Sequence, residues 1–199
     1  MGLPTRPYNS GRHTIAENLW NKRDLKRSIL SGRGYGELIF TPDLKLTSNI
    51  SLDVQDALQQ EYDNKLVGDG APSGRARRTS GKTTSYTFNQ LLNYTKKFGV
   101  HNVTAMLGHE NYESSYNYLF GSKQGQISEG IYEFENFSTI NDASSREDKA
   151  KLESYFSRLG YDFDGKYFIT GSFRRDGNSK FSSLVRWDNF WSVGAAWRL

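Results

Sequence analysis

The chain has 199 residues, no cysteine, 26 Lys and Arg against 22 Asp and Glu, and a formal net charge of +4. Absence of cysteine excludes a disulfide framework, a thiolate metal site and a cysteine nucleophile, and interspersed acidic residues leave no basic stripe for nucleic acid. Hydrophobic residues make up only 36% and mean hydropathy is −0.72, yet aromatics reach 14%, a mixture that suits membrane β-barrel strands, which alternate a lipid-facing apolar side chain with a lumen-facing polar one.

In chain order, residues 1–31 are predicted as an irregular lead-in without an apolar stretch of signal-peptide length. Within it, Leu19, Trp20, Leu25, Ile29 and Leu30 also admit a helical reading over 16–30. From Gly32 onward, period-two alternation dominates, in segments of roughly ten residues, the length a tilted strand needs to cross a bilayer. Arg33 to Thr41 forms a first strand, and Pro42-Asp43 a short turn. The next strand carries Leu44, Leu46, Ile50, Leu52 and Val54 on one face and Lys45, Thr47, Asn49, Ser51 and Asp53 on the other. No run approaches the ~18 apolar residues of a transmembrane helix.

After the breaker cluster Gly68-Asp69-Gly70-Ala71-Pro72-Ser73-Gly74, a second pair begins near Lys82. It sets Tyr86, Phe88, Leu92 and Tyr94 against Ser85, Thr87, Asn89 and Asn93, and turns at Phe98-Gly99 into Val103, Ala105 and Leu107. The polar stretch 141–151 reads as loop, with a capping box from Ser144 to Glu147 that predicts a short helix through Lys151. The third pair alternates Tyr155, Leu159, Tyr161 and Phe163 with Arg158, Gly160 and Asp162. It turns at Asp164-Gly165 and returns through Tyr167, Ile169 and Phe173. A last strand from about Asn189 places Trp191, Val193, Ala195 and Trp197 on one side.

The result is an all-β chain, an antiparallel meander of about seven strands. Short links at Pro42-Asp43, Phe98-Gly99 and Asp164-Gly165 alternate with long ones after Val54, Tyr112 and Arg175. That asymmetry belongs to large transmembrane barrels, with short periplasmic turns and long extracellular loops.

Candidate chemistry is sparse. His101 and His109 stand at opposite ends of one predicted strand, roughly 26 Å apart at about 3.3 Å per residue, and cannot share a metal. His109-Glu110 lacks the second histidine of a zinc-protease motif, and Asp162-Phe163-Asp164-Gly165 lacks the later ligands of a calcium loop. Neither a metal, a cofactor nor a catalytic residue is predicted, so the chain does not read as an enzyme. Arg75, Arg77 and Arg78 are candidates for gripping an anionic ligand or simply for a solvated Gly-rich loop. Trp187 and Trp191 are candidates for stacking on sugars or for an interfacial aromatic belt.

The stretch ESYFSRLGYDFDGKYFITGSFRRDGNSKF followed by RWDNFWSVGAAWRL resembles the barrel signature of SusC/RagA-type TonB-dependent outer-membrane transporters. NLWNKRDLKRSILSGRGYGELIFTPDLKLTSNISLDVQD and YTFNQLLNYTKKFGVHNVTAMLGHE resemble that family's earlier hairpins. The resemblance assigns residues 32–199 to part of a barrel of about twenty-two strands in the outer membrane of a Gram-negative, Bacteroidetes-like cell. It implies contact with outer-membrane lipid, energy from the TonB complex through a plug, and a SusD-like surface lipoprotein that captures oligosaccharide or peptide cargo. The chain has no plug or leader before Met1, so it is expected to be a fragment that cannot transport alone, with two open sheet edges prone to aggregate. The rival reading is a soluble β-rich glycan-binding module.

Overall fold

A computed structural model describes residues 12–198. A short helix, α1 (Thr14–Trp20), precedes seven strands: β1 (Lys22–Thr41), β2 (Leu44–Asp63), β3 (Arg75–Phe98), β4 (His101–Gln126), β5 (Phe137–Phe163), β6 (Tyr167–Asn178) and β7 (Trp187–Trp197). They form one antiparallel sheet in sequence order that does not close, the predicted meander. No helix among the described residues is long and apolar enough to cross a membrane.

The three short links fall where the sequence places them. At the third, Asp164 and Gly165 both adopt positive φ, 53° and 63°, and the Gly165 amide donates to Asp162 Oδ1 at 2.8 Å. Asp-Gly tolerates this left-handed pair with little strain, and its twist matches the flanking strands.

Strand lengths differ from expectation. The stretch 141–151 lies inside β5, not in a helix-bearing loop. β4 continues to Gln126, whereas β6 pairs β5 only from Leu152 on, so β4 is the ladder partner available to this part of β5, and pairing outweighs a capping box that has no apolar helical face behind it. Near the N-terminus the helical reading over 16–30 survives only at 16–20, inside α1 (Thr14–Trp20). β1 starts at Lys22, ahead of the strand start predicted near Arg33, because β2 runs on to Asp63 and supplies a partner. Residues 1–11 of the predicted lead-in lie outside the described residues.

The chain divides into two compact units, one with residues up to Ile29, Gln55–Thr83 and Tyr116–Asp148, the other with Leu30–Val54, Thr84–Ser115 and Lys149–Leu199. In the second, register makes the sidedness explicit. Phe163, Tyr167 and Trp197 align across β5, β6 and β7, followed by Tyr161, Ile169 and Ala195, then Leu159, Gly171 and Val193, then Ser157, Phe173 and Trp191. The Tyr167 and Trp197 rings are stacked, 6.3 Å apart and 10° from parallel. On the opposite face the rows are Asp162, Phe168 and Ala196, then Gly160, Thr170 and Gly194, then Arg158, Ser172 and Ser192, with the last two hydroxyls 2.8 Å apart. One face is therefore apolar between aromatic rows, and the other is mainly polar and small. From Phe163 to Tyr155 the apolar face extends about 26 Å along the strand, about 20 Å in height once tilted, close to the apolar band of a membrane barrel.

The first unit has a small core of its own. Tyr62, Ala76 and Phe137 are buried together, with Tyr132 and Phe134 packed against them, and the Tyr62 hydroxyl donates to Gln126 Oε1 at 2.7 Å.

Candidate functional site

In the first unit, β2 ends on Asp63 and β3 begins at Arg75, and alternation puts Glu61, Asp63, Arg75 and Arg77 on one face while Tyr62 and Ala76 point to the other. Asp63 is 3% exposed. Its Oδ2 accepts from Arg75 Nε at 3.1 Å and Nη2 at 2.8 Å and from Arg77 Nη2 at 2.6 Å, and its Oδ1 accepts from Arg23 Nη2. Arg23 also donates to the Tyr62 carbonyl at 2.9 Å. Arg77 Nε lies 2.9 Å from Glu61 Oε2 but off the N–H direction, so that contact is an ion pair and not a hydrogen bond. Three guanidiniums thus converge on two carboxylates and pin the ends of three strands.

Burial pushes the Asp63 carboxyl up, but hydrogen bonds from Arg23 and Arg75 and the charges of Arg77 and Arg23 outweigh it and hold the group below the usual carboxylate range. A carboxylate depressed on folding contributes stability that is complete above its unfolded value, near 3.9, and is lost as pH falls through the lower folded value. A spin label at Val67 in the intact protein should therefore keep its mobility from pH 7 to about pH 4 and loosen below that, and Asp63→Asn should abolish the transition. A mobility flat to pH 2 in the unsubstituted protein would contradict this.

The adjoining loop is equally well tied. Asn64 Oδ1 accepts from the Leu66 and Val67 amides, both at 2.9 Å, and the Asn64 amide donates to Asn21 Oδ1 at 2.8 Å. Gly70 lies so close to the Asp63 and Asn64 carbonyls that any Cβ would collide with backbone.

The sequence-derived candidates divide between the two units. Arg75 and Arg77 are committed to Asp63. Arg78 points to the other face, where it donates to the Tyr132 carbonyl at 2.6 Å and sits 3.6 Å from Glu133. In the second unit, Trp187 has the Arg175 guanidinium over its ring at 5.2 Å and Tyr155 at 6.2 Å. Trp191 lies in the apolar rows and is 78% exposed. Asp63, Glu61 and Arg23 are not among the sequence-derived candidates. The usable signal is matched alternation, since Glu61 and Asp63 flank Tyr62 as Arg75 and Arg77 flank Ala76 across the breaker cluster.

A concavity of about 300 Å³ in the second unit is lined by Arg33, Gly34 and Tyr35 of β1, Asn49, Ile50 and Ser51 of β2, and Thr87 and Asn89 of β3. Asn49 Nδ2 donates to Asn89 Oδ1 at 3.3 Å, and Asn89 Nδ2 donates to Glu110 Oε2 at 3.2 Å. His101 and His109 do not meet. His101 Nδ1 is 2.6 Å from the Tyr161 hydroxyl, whereas His109 lies between Gln90 and Glu153 at 3.4 and 3.2 Å. Among the described residues no three His, Cys, Asp or Glu side chains are grouped to hold a metal.

No family model matches the chain. Curated relatives do. A TonB-dependent receptor of Formosa agariphila is 31% identical over 142 residues, covering 67% of this chain and 13% of the relative. The TonB-dependent receptor SusC of Bacteroides thetaiotaomicron is 26% identical over 164 residues, covering 80% and 16%. The chain thus spans less than a fifth of these two relatives. Among solved structures, the RagAB peptide transporter superposes with a TM-score of 0.85 at 22% identity, over 91% of this chain and 20% of that one. The likeness to that structure is one of fold.

Proposed function

Because this chain belongs to the SusC/RagA-type TonB-dependent receptors, we propose that it forms part of the wall of an outer-membrane transport barrel that imports oligosaccharides or other nutrients. The observation that supports this reading best is the one-sided apolar face between aromatic rows, on strands joined by tight turns. Leu159, Ile169, Trp191 and Val193 are all more than half exposed on that face, which water disfavours and lipid accepts. A soluble glycan-binding module would have to cover them, so that alternative is the weaker one.

In this proposal the polar face lines the cargo path, TonB drives passage through a plug elsewhere in the receptor, and a SusD-like lipoprotein delivers cargo from the surface of a Bacteroidetes-like cell. Arg75 and Arg77 serve the cargo path indirectly, by fixing the loop end of the sheet through Asp63, and Arg78 by holding the 127–136 loop. Trp187, one row beyond Tyr155, sits at the lipid headgroup level, where amphipathic rings are favoured, and Trp191 faces the lipid inside the apolar band. The test is uptake by cells expressing the intact receptor. Uptake of labelled oligosaccharide or peptide should require both TonB and a lipoprotein that co-purifies with the receptor. Uptake indifferent to TonB would defeat the energy-coupling half of the proposal, and a receptor purified without any lipoprotein would defeat the partner half.

A further inference from the structure

We infer that the groove around Ser157 on the apolar face seats an acyl chain of one outer-leaflet lipid, and that Arg175 and Glu153 at its loop end select a phosphoethanolamine headgroup. The inference rests on the barrel reading and names a lipid within it.

The groove holds about 420 Å³. Leu46, Leu92, Leu107 and Phe173 wall it, and Ser157 is the small residue among them, in the row that Phe173 and Trp191 continue. Gly108 and Phe156 complete the lining. The Phe156 ring lies against Gly108 with the Arg174 guanidinium over it at 5.3 Å, on the opposite face of the sheet by alternation, so it does not fill the space above Ser157. Gln90, His109 and Tyr155 close the loop end, where the His109 and Tyr155 rings are stacked 4.8 Å apart. The hollow is therefore apolar at membrane depth and polar only toward the outer surface, the polarity order of a lipid. Lipid tails and leucine are equally apolar, so what favours one chain there is packing against the groove walls.

The headgroup follows from two opposite charges held apart. Arg175 follows Phe173 on the outward face, in one row with Tyr155 and Asn189. Its guanidinium lies over the Trp187 ring, and that ring rests on Gly177, where a Cβ would meet three ring atoms at 2.9 Å. Among the described residues Arg175 has no carboxylate partner. Glu153 stands one row further on the neighbouring strand, opposite Gly177. Its Oε1 accepts from the Tyr155 hydroxyl at 2.7 Å and faces His109 Nε2 at 3.2 Å, which leaves Oε2 without a partner among the described residues. Such diagonal positions are about 7–8 Å apart, the reach of a phosphate and an ammonium two carbons apart with a hydrogen bond at each end. The phosphate supplies the anion that Arg175 lacks at the membrane surface, and the ammonium supplies donors to Glu153 Oε2. Lys151 is already paired with Glu113 at 2.8 Å, so it does not tip the balance toward a purely anionic headgroup, which would set like charge beside Glu153.

The test titrates the intact receptor in detergent with dioleoylphosphatidylethanolamine, dioleoylphosphatidylglycerol or dioleoylphosphatidylcholine and reads bound lipid by native mass spectrometry. The ethanolamine lipid should be retained about fivefold or more over the other two, the scale of one interfacial charge contact. Glu153→Gln should bring the ethanolamine and glycerol lipids level. Arg175→Gln should weaken all three lipids by about fivefold, and Ser157→Phe, which fills the groove, should weaken all three whatever the headgroup. The parent's own preference stays decisive if a variant fails to assemble. No preference for the ethanolamine lipid, retention indifferent to the variants, or a second copy of the receptor in place of lipid, seen as a dimer that Ser157→Phe dissolves, would overturn the inference. Any of those results on a receptor that needs detergent and migrates as a heat-modifiable barrel would leave the barrel reading standing. A receptor monodisperse in water without detergent would remove that reading itself.

Discussion

Replacing Asp63 by Ala should release the loop end of the β2–β3 hairpin while leaving the second unit folded. The substitution removes the acceptor for three arginines at once and leaves partly desolvated guanidiniums facing one another with Glu61 as the remaining acidic partner. Breaking a buried ion pair from one side typically costs about 3–5 kcal/mol. Arg23 is 46% exposed and Arg75 and Arg77 about a quarter, so solvent recovers part of that, and about 2–4 kcal/mol is the expected local loss. Hydrogen exchange of the intact receptor at pH 7 should show amides 61–67 and 74–78 exchanging some thirty-fold faster or more, with 155–173 unchanged. Equal protection at 61–67 in variant and parent would mean that the tyrosine and phenylalanine core alone holds the loop. Asp63→Asn, which retains an acceptor without the charge, should lie between the two.

Leu159→Arg should block assembly in the bilayer, whereas Thr170→Arg should not. Leu159 is midway along the apolar face between Phe163 and Tyr155, beside Gly171 and Val193, and Thr170 sits on the opposite, mainly polar face between Gly160 and Gly194. An arginine at the lipid midplane of a barrel costs about 2–4 kcal/mol, and one facing the lumen costs little. The check is heat-modifiable migration of the intact receptor from outer-membrane fractions. Leu159→Arg should be depleted there and recovered as unfolded or degraded chain, and Thr170→Arg should match the parent. Equal assembly of both would remove the assignment of the apolar face to lipid.

The sequence by itself determined the architecture, because two-residue periodicity and turn chemistry are local. Leu44 to Val54, Tyr155 to Phe163 and Tyr167 to Phe173 declare which side is apolar without reference to any neighbour, and Asp164-Gly165 states its turn in two residues. The family likeness could be recognised for the same reason, since those strands and turns carry its motifs. Strand length was decided only by pairing. Nothing local makes 141–151 extended, and its Ser, Asp, Glu and Lys side chains suit a loop or a helix start equally well. A long β4 beside it provides the ladder that settles the matter. The Asp63 cluster and the Asn49–Asn89–Glu110 relay belong to the same category. Each joins residues on three strands, brought together by register across hairpins, and a single charged or amide side chain in a sequence does not say which partner will face it.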